Sequence, residues 1–296
     1  MTWTAWSRRW SQMPSREATS AMGHGGPTAP IVSFLSDYGL LDEFVGVCHG
    51  VIASRCPRAR VIDLTHSIAP QDVRAGAFAL RGALPFVPAG VHLAVVDPGV
   101  GSARRAVAMR TAVEDRLLVG PDNGLLMLAA ERFAGVSEVV DVGRSPVRLE
   151  PVSSTFHGRD IFAPVAAALA AGAALRELGE PLDVAELHRL ELPTASFSGG
   201  RLTAHAVHGD GFGNVVLDAS PEQLAALGGA PGDTVTVRHG ELAHTARLGR
   251  TFAAVEPGAL LLYADAQGAA ALAVNLGSAV ELLGVERDAE LVLERA

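Results

Sequence analysis

Lysine is missing from this sequence: all 24 basic residues among 296 are arginine. Schiff-base chemistry and the phosphate-gripping lysine of a Walker loop are therefore excluded. Cysteine is nearly missing too. Cys48 and Cys56 lie in a segment that reads as helix, and their spacing fits neither a zinc site nor a disulfide framework. Two buried thiols in a reducing cytoplasm are expected. No apolar run reaches the ~18 residues that mark a membrane-spanning helix. A cationic surplus is also absent, since the formal charge is −8, which argues against a broad nucleic-acid surface. There is no HExxH or comparable spacing, so no metal is expected, and no GxSxG elbow for a serine hydrolase.

What is present suits a compact enzyme: 49% of the residues are apolar and 19% are charged. The length favours two domains. Residues 1–29 contain Arg and Ser but no continuous apolar segment, so they read as a disordered extension and not as a secretion signal. From Pro30 to about residue 190, short apolar runs alternate with helical patterns. "IVSFLS", "RVIDLTH", "VHLAVVDP", "RAVAMRT", "RLLVGPDN" and "SEVVDVG" read as strands. "EFVGVCHGVIASR", "PQDVRAGAFALRGAL" opening on Pro70, "GLLMLAAERF" and an Ala-rich helix from Asp160 towards Leu175 read as helices. Such alternation predicts an α/β domain with a mostly parallel sheet between helices.

The remainder, 191–296, follows a linker in "HRLELPTASFSGG". Its short extended runs, from "RLTAHAVHGDGFGNVVLD" to "SAVELLG", predict a small antiparallel β-barrel or sandwich.

Ligands of an open α/β sheet bind beyond the carboxyl ends of its strands. Asp37 in "SDYG", Asp97 in "VDPG" and Asn123 in "PDNG" fall there, as does His66 in "DLTHSI". Each alone is an ordinary turn former, but three acid or amide turns after three strands favour a site. In "VVDPGVGSARRAV", Gly99 and Gly101 begin a dinucleotide fingerprint, yet Arg104 stands where its third glycine belongs and a strand follows where a helix should. His157 and Arg159 in "TFHGRDIFAPV" precede the Ala-rich helix, with Asp160 as a candidate cap. Asp210 and Asn214 share the tight loop "HGDGFGN".

In these residues the sequence resembles the adenosine-forming S-adenosylmethionine (SAM) hydrolases, or SAM hydroxide adenosyltransferases, relatives of fluorinase and chlorinase. The likeness runs from Ile31 to the end through "FLSDYG", "IDLTHSIAPQDVRAGAFAL", "VVDPGVGSARRAV", "GPDNGLL", "FHGRDIFAPVAA", "DGFGN" and "AVNLGSAVELLG". The resemblance implies that Asp97, Arg104 and His157 hold and activate water. It implies that Asp37 holds the ribose hydroxyls, that Asn214 reads adenine, and that Phe252 packs on the base. Asp42 and Asp210 match acids near the methionine portion, and Ser278 and Ala279 belong to a stretch whose backbone meets the adenine edge. The implied reaction is hydrolysis of SAM to adenosine and L-methionine, with SAM as substrate and no cofactor. A cytoplasmic homotrimer with sites at subunit boundaries, and no nucleic-acid or membrane partner, is implied as well.

Two departures matter. Gly158 stands where the halogenases carry a halide-contacting serine, and Asp97-Pro98 where they carry Tyr-Pro, which favours water over halide. Ala266-Gln267-Gly268 replaces the usual Ser-Ser-Gly near the methionine carboxylate. A catalytically idle SAM- or adenosine-binding protein therefore stays open as an alternative, with a halogenase and a Rossmann dehydrogenase behind it.

Overall fold

A computed structural model of the chain describes residues 29–295; apart from Ala29, the expected N-terminal extension lies outside the described residues. Chain contacts divide these residues into two compact units that meet between Leu190 and Glu191.

The first unit is built on a seven-stranded sheet: β1 (Ile31–Ser36), β2 (Arg60–Thr65), β3 (Val91–Val95), β4 (Ala106–Thr111), β5 (Leu117–Pro121), β6 (Val136–Asp141) and β7 (Glu180–Pro181), in the order β2-β1-β3-β5-β4-β6-β7. β2, β1, β3 and β5 pair in parallel, and β4 is antiparallel to both β5 and β6. β6 therefore runs with the parallel set, and only β4 and β7 oppose it. Every residue of β3 is buried, as expected of a central strand covered on both faces. One buried cluster joins Phe34, Val91 and Leu93 to Cys48 and Ile52 of α1 (Phe44–Arg55). A second joins Leu35, Ala94 and Val96 to Ala77 and Leu80 of α2 (Val73–Ala83) and to Met127 and Ala130 of α3 (Met127–Arg132). Cys48 and Cys56 are free and buried.

Two helix boundaries differ from expectation. α2 opens after Asp72, not at Pro70, because Gln71 sits at φ +68° and the Asp72 carboxylate accepts the Ala75 N–H at 3.0 Å. The Ala-rich helix is shorter than its composition: a π-turn spans Gly158–Phe162, and α4 proper runs only over Ala163–Ala170. Pro164 has no N–H for the Asp160 carbonyl, which instead accepts from Leu149 at 2.8 Å. Gly172 at φ +100° follows the other end.

The second unit is a barrel. Its strands are β8 (Ser196–Ser198), β9 (Arg201–Gly209), β10 (Val215–Leu217), β11 (Thr234–His239), β12 (Leu242–Leu248), β13 (Leu260–Ala264), β14 (Ala270–Val274) and β15 (Glu290–Arg295). The order β10-β14-β13-β12-β11-β15-β9 closes through a β9–β10 pairing, so seven strands form the ring and β8 is appended to β9. Closure removes the exposed edges that an open sheet would leave. All ring pairings are antiparallel except β12–β13. Helix α5 (Pro221–Ala226) starts at a Ser220/Gln223 capping box. "SAVELLG", expected to be extended, instead forms α6 (Ala279–Leu283). Ser278 caps it by accepting the Glu281 N–H at 3.2 Å, and Gly284 ends it at φ +61°. No helix among the described residues is long and apolar enough to cross a membrane.

Candidate active site

The carboxyl ends of β1, β2, β3 and β5 lead into the turns that carry Asp37, His66, Asp97 and Asn123. Three side chains of this unit converge. Arg104 Nε donates to Asp97 Oδ1 at 3.0 Å, and its NH2 group donates to Asp97 Oδ2. The same NH2 lies 3.2 Å from His157 Nδ1. Both partners of the ion pair are almost buried, with side chains 6% (Asp97) and 8% (Arg104) exposed. The Arg104 guanidinium also lies over the Phe162 ring, 5.4 Å from its centroid.

Burial pushes the Asp97 carboxyl above its ordinary range, against the opposing pull of Arg104 and His157. Burial and the Arg104 charge both push His157 down, favouring the neutral ring. A guanidinium only donates, so His157 Nδ1 must be the acceptor in its contact with Arg104, and the proton of the neutral ring sits on Nε2.

The segment "VVDPGVGSARRAV" joins β3 to β4, strand to strand. Its glycine at 101 serves a close approach within the protein: at φ +77°, an added Cβ would meet the backbone carbonyl of Ser154. The loop bearing Asp97 and Arg104 thus seats directly on the loop that leads to His157. Asp160 anchors that second loop. It is 1% exposed and accepts from Ser153 N at 2.7 Å and from Arg159 Nε at 2.6 Å, which makes it a structural acid.

Asp37 Oδ2 accepts the backbone N–H of Gln71 at 2.8 Å. Asp42 is exposed in the turn before α1. Asn123 spends its side chain on the local backbone, donating to Val96 O at 2.9 Å and accepting from Leu125 N at 3.2 Å. Tyr38 was not singled out from the sequence, although its motif was. Burial, then the charges of Cys48, Asp37 and Asp97, hold its phenol well above the usual range. Its hydroxyl fills the space that a side chain at Gly158 would need. The two positions are far apart along the chain, so sequence spacing gives no sign of the contact.

In the second unit, Asp210 and Asn214 form one structure. The Asp210 carboxylate accepts from Phe212 N at 2.9 Å, Asn214 N at 3.0 Å and Asn214 Nδ2 at 2.7 Å. The Gly213 carbonyl accepts from Ala279 N at 2.8 Å and Val280 N at 3.0 Å, docking the loop on the start of α6 beside Ser278. Asn214 and Ala279 are buried. Phe252 is half-exposed and meets Tyr263 edge-on, with ring centroids 5.6 Å apart. Phe212, 84% exposed beside Asn214, is an aromatic that the sequence reading passed over. Asp265 accepts the backbone N–H groups of Gln267 and Ala269, each at 2.8 Å, so the "AQG" departure sits in a well-formed turn.

A mostly parallel sheet with an Asp–Arg–His cluster past its strand ends, followed by a closed barrel, defines a two-domain enzyme. Comparison with known proteins is more specific. The SAM hydroxide adenosyltransferase N-terminal domain matches residues 32–179, and the C-terminal domain of the same family matches 204–292. The chain belongs to the SAM hydroxide adenosyltransferase family. It is 49% identical over 256 residues to the (R)-S-adenosyl-L-methionine hydrolase of Salinispora tropica, covering 86% of this chain and 94% of that protein. The Thermus thermophilus protein of the same name is 40% identical over 270 residues, with 86% and 96% covered. A fluorinase from an Actinoplanes species is 31% identical over 272 residues, with 83% and 91% covered. A solved structure of an uncharacterized conserved protein from Thermotoga maritima superposes with a TM-score of 0.83 at 36% identity, covering 89% of this chain and all of that one.

Proposed function

We propose that this protein hydrolyses S-adenosyl-L-methionine to adenosine and L-methionine, with water attacking the ribose C5′ carbon opposite the C–S bond. The observation that carries this reading is the Asp97–Arg104–His157 cluster. The reaction consumes one water and releases one proton, because the cationic sulfonium leaves as neutral thioether. Sulfur needs no general acid. The protein's task is to align the water and to accept its proton.

The tautomer assigns the roles. His157 Nδ1 is occupied by Arg104, which leaves Nε2–H as a donor able to orient the water oxygen. Asp97 is then the acceptor, since each carboxylate oxygen keeps a further lone pair beyond its bond to Arg104. Arg104 holds both partners and stabilises negative charge developing on the attacking oxygen. Positioning of this kind lowers the barrier by itself when the reacting atoms are brought to about 3–3.5 Å.

The same carboxylate speaks against halide, which it would repel. The greater likeness to the hydrolases than to the fluorinase agrees with this. Asp37 is assigned to the ribose hydroxyls, Asp42 and Asp210 to the methionine portion. Asn214, Phe252, Ser278 and Ala279 are assigned to adenine. A homotrimer with sites at subunit boundaries and a cytoplasmic setting are part of the proposal, SAM being a small-molecule substrate that needs no further cofactor. Incubating the pure protein with SAM and separating the products tests it: adenosine and methionine should accumulate in equal amounts, and intact SAM after long incubation would refute it.

A further inference from the structure

Among the described residues, one group of His and Asp side chains away from the Asp97 cluster lies close enough together to hold a metal ion. His49 on α1, Asp63 on β2 and His66 just past the end of β2 place three potential ligand atoms within 4.8 Å of one another. Asp63 Oδ1 lies 2.9 Å from His49 Nε2 and 3.0 Å from His66 Nε2. The first is a hydrogen bond, and both are a few tenths of an ångström shorter than the ~3.4 Å edge that ~2.1 Å bonds set at the tetrahedral angle, so the three side chains would open slightly around an ion.

His66 supplies an independent indication. Its side chain is only 2% exposed, and its ring is wedged edge-on against Phe34, with centroids 4.6 Å apart. Nδ1 pairs with Ser36 Oγ at 2.7 Å, which fixes the ring. Yet Nε2, despite its closeness to Asp63, makes no aligned hydrogen bond. A buried imidazole nitrogen aimed at a carboxylate without a usable hydrogen bond is costly, unless a cation lies between them. A ring whose other nitrogen is tied to a neighbouring polar group is also the usual arrangement of a metal-ligating histidine.

Asp63 and His49 are partly exposed, at 42% and 34%, so waters could complete a coordination shell from the solvent side.

We propose that His49, Asp63 and His66 form a binding site for a divalent transition-metal ion, with Zn2+ the ion best matched to two imidazoles and one carboxylate. The ion would tie α1 to the end of β2. Through the His66–Ser36 contact it would also brace the turn that carries Asp37. Spacing along the chain hides the site, because its three ligands come from a helix and a neighbouring strand end. The proposal stands apart from the hydrolysis reading and is tested without it.

The test uses tag-free full-length protein, stripped with chelator and dialysed, then titrated with ZnCl2 by calorimetry and with Co2+ by visible absorption. Wild type should take up one ion per chain, show Co2+ d–d bands, and gain thermal stability with Zn2+. His49→Gln, a surface change that can still hydrogen-bond Asp63, should weaken binding by roughly tenfold or more and lose the bands. Asp63→Asn should do the same. Equal uptake and equal stabilisation in wild type and both variants would overturn the assignment, as would no uptake by wild type.

Discussion

Arg104 grips both oxygens of Asp97 and, with one of the same nitrogens, touches His157 Nδ1. One guanidinium thereby sets the position of a carboxylate and the tautomer of an imidazole. Because Arg104 and Asp97 are nearly buried together, neither can be removed without leaving the other exposed to the full cost of an unpaired charge.

Asp97→Asn is expected to lower turnover by about 100- to 10,000-fold, the usual worth of a general base, while adenosine affinity changes little. Arg104→Ala should abolish turnover and also destabilise the fold by about 3–5 kcal/mol, because it strands a buried carboxylate. Steady-state kinetics, calorimetry with adenosine and thermal melts separate these effects. Wild-type turnover in either variant would show that the cluster is misassigned.

The shifts at Asp97 and His157 fix the shape of the pH profile. Asp97 must be ionised to accept a proton, and burial raises its carboxyl, so activity should fall on acidification at a pH above the ~3.9 of an ordinary aspartate. His157 is pushed down and is therefore already neutral at pH 7. The profile of kcat/KM should rise through the raised Asp97 value and then level, with no inflection at the ~6.5 of an ordinary histidine. An inflection there that disappears in His157→Gln would give the histidine the role of base.

Gly158→Ala should disturb the site through Tyr38, whose hydroxyl occupies the place of the new methyl group. The expected cost is about 1–3 kcal/mol of stability, as in other overpacked cores, together with reduced turnover. Tyr38→Phe in the same chain should recover part of both, giving a non-additive double-mutant cycle. Additive effects would show that the two residues do not share the space. Gly158→Ser alone, for the same reason, should yield no 5′-halo-5′-deoxyadenosine in added halide.

Asp210→Ala removes the acceptor of three N–H groups that shape the Asn214 loop. KM for SAM should rise with a smaller change in kcat, and adenosine binding should weaken in parallel. A pure kcat defect would place Asp210 at the chemistry and not in the binding loop.

The sheet, its helices and the barrel were legible because strand and helix periodicities alternate in one half and short runs recur in the other. Asp97, Arg104 and His157 were legible only through the order of motifs; the contact itself depends on a loop-on-loop seat at Gly101 that spacing does not reveal. α6 was misread because five residues of "AVELL" carry too little periodicity to tell helix from strand, although Ser278 and Glu281 already spelled its cap. The Ala-rich helix was read too long because alanine keeps helix propensity high along the whole stretch, whereas Pro164 has no N–H for the Asp160 carbonyl and Gly172 follows the other end. Tyr38 and the approach of His49 to Asp63 escaped notice for a common reason, that the partners meet only in space, and His66 stood out only as a residue past a strand end.

The central claim is that water is the nucleophile at C5′ of SAM. Turnover of SAM in 18O-labelled water, followed by mass spectrometry of the nucleoside, tests it most directly. One labelled oxygen should appear in the 5′-hydroxyl of adenosine, with L-methionine released unlabelled. Adenosine without label, label in the methionine, or unchanged SAM would contradict the account.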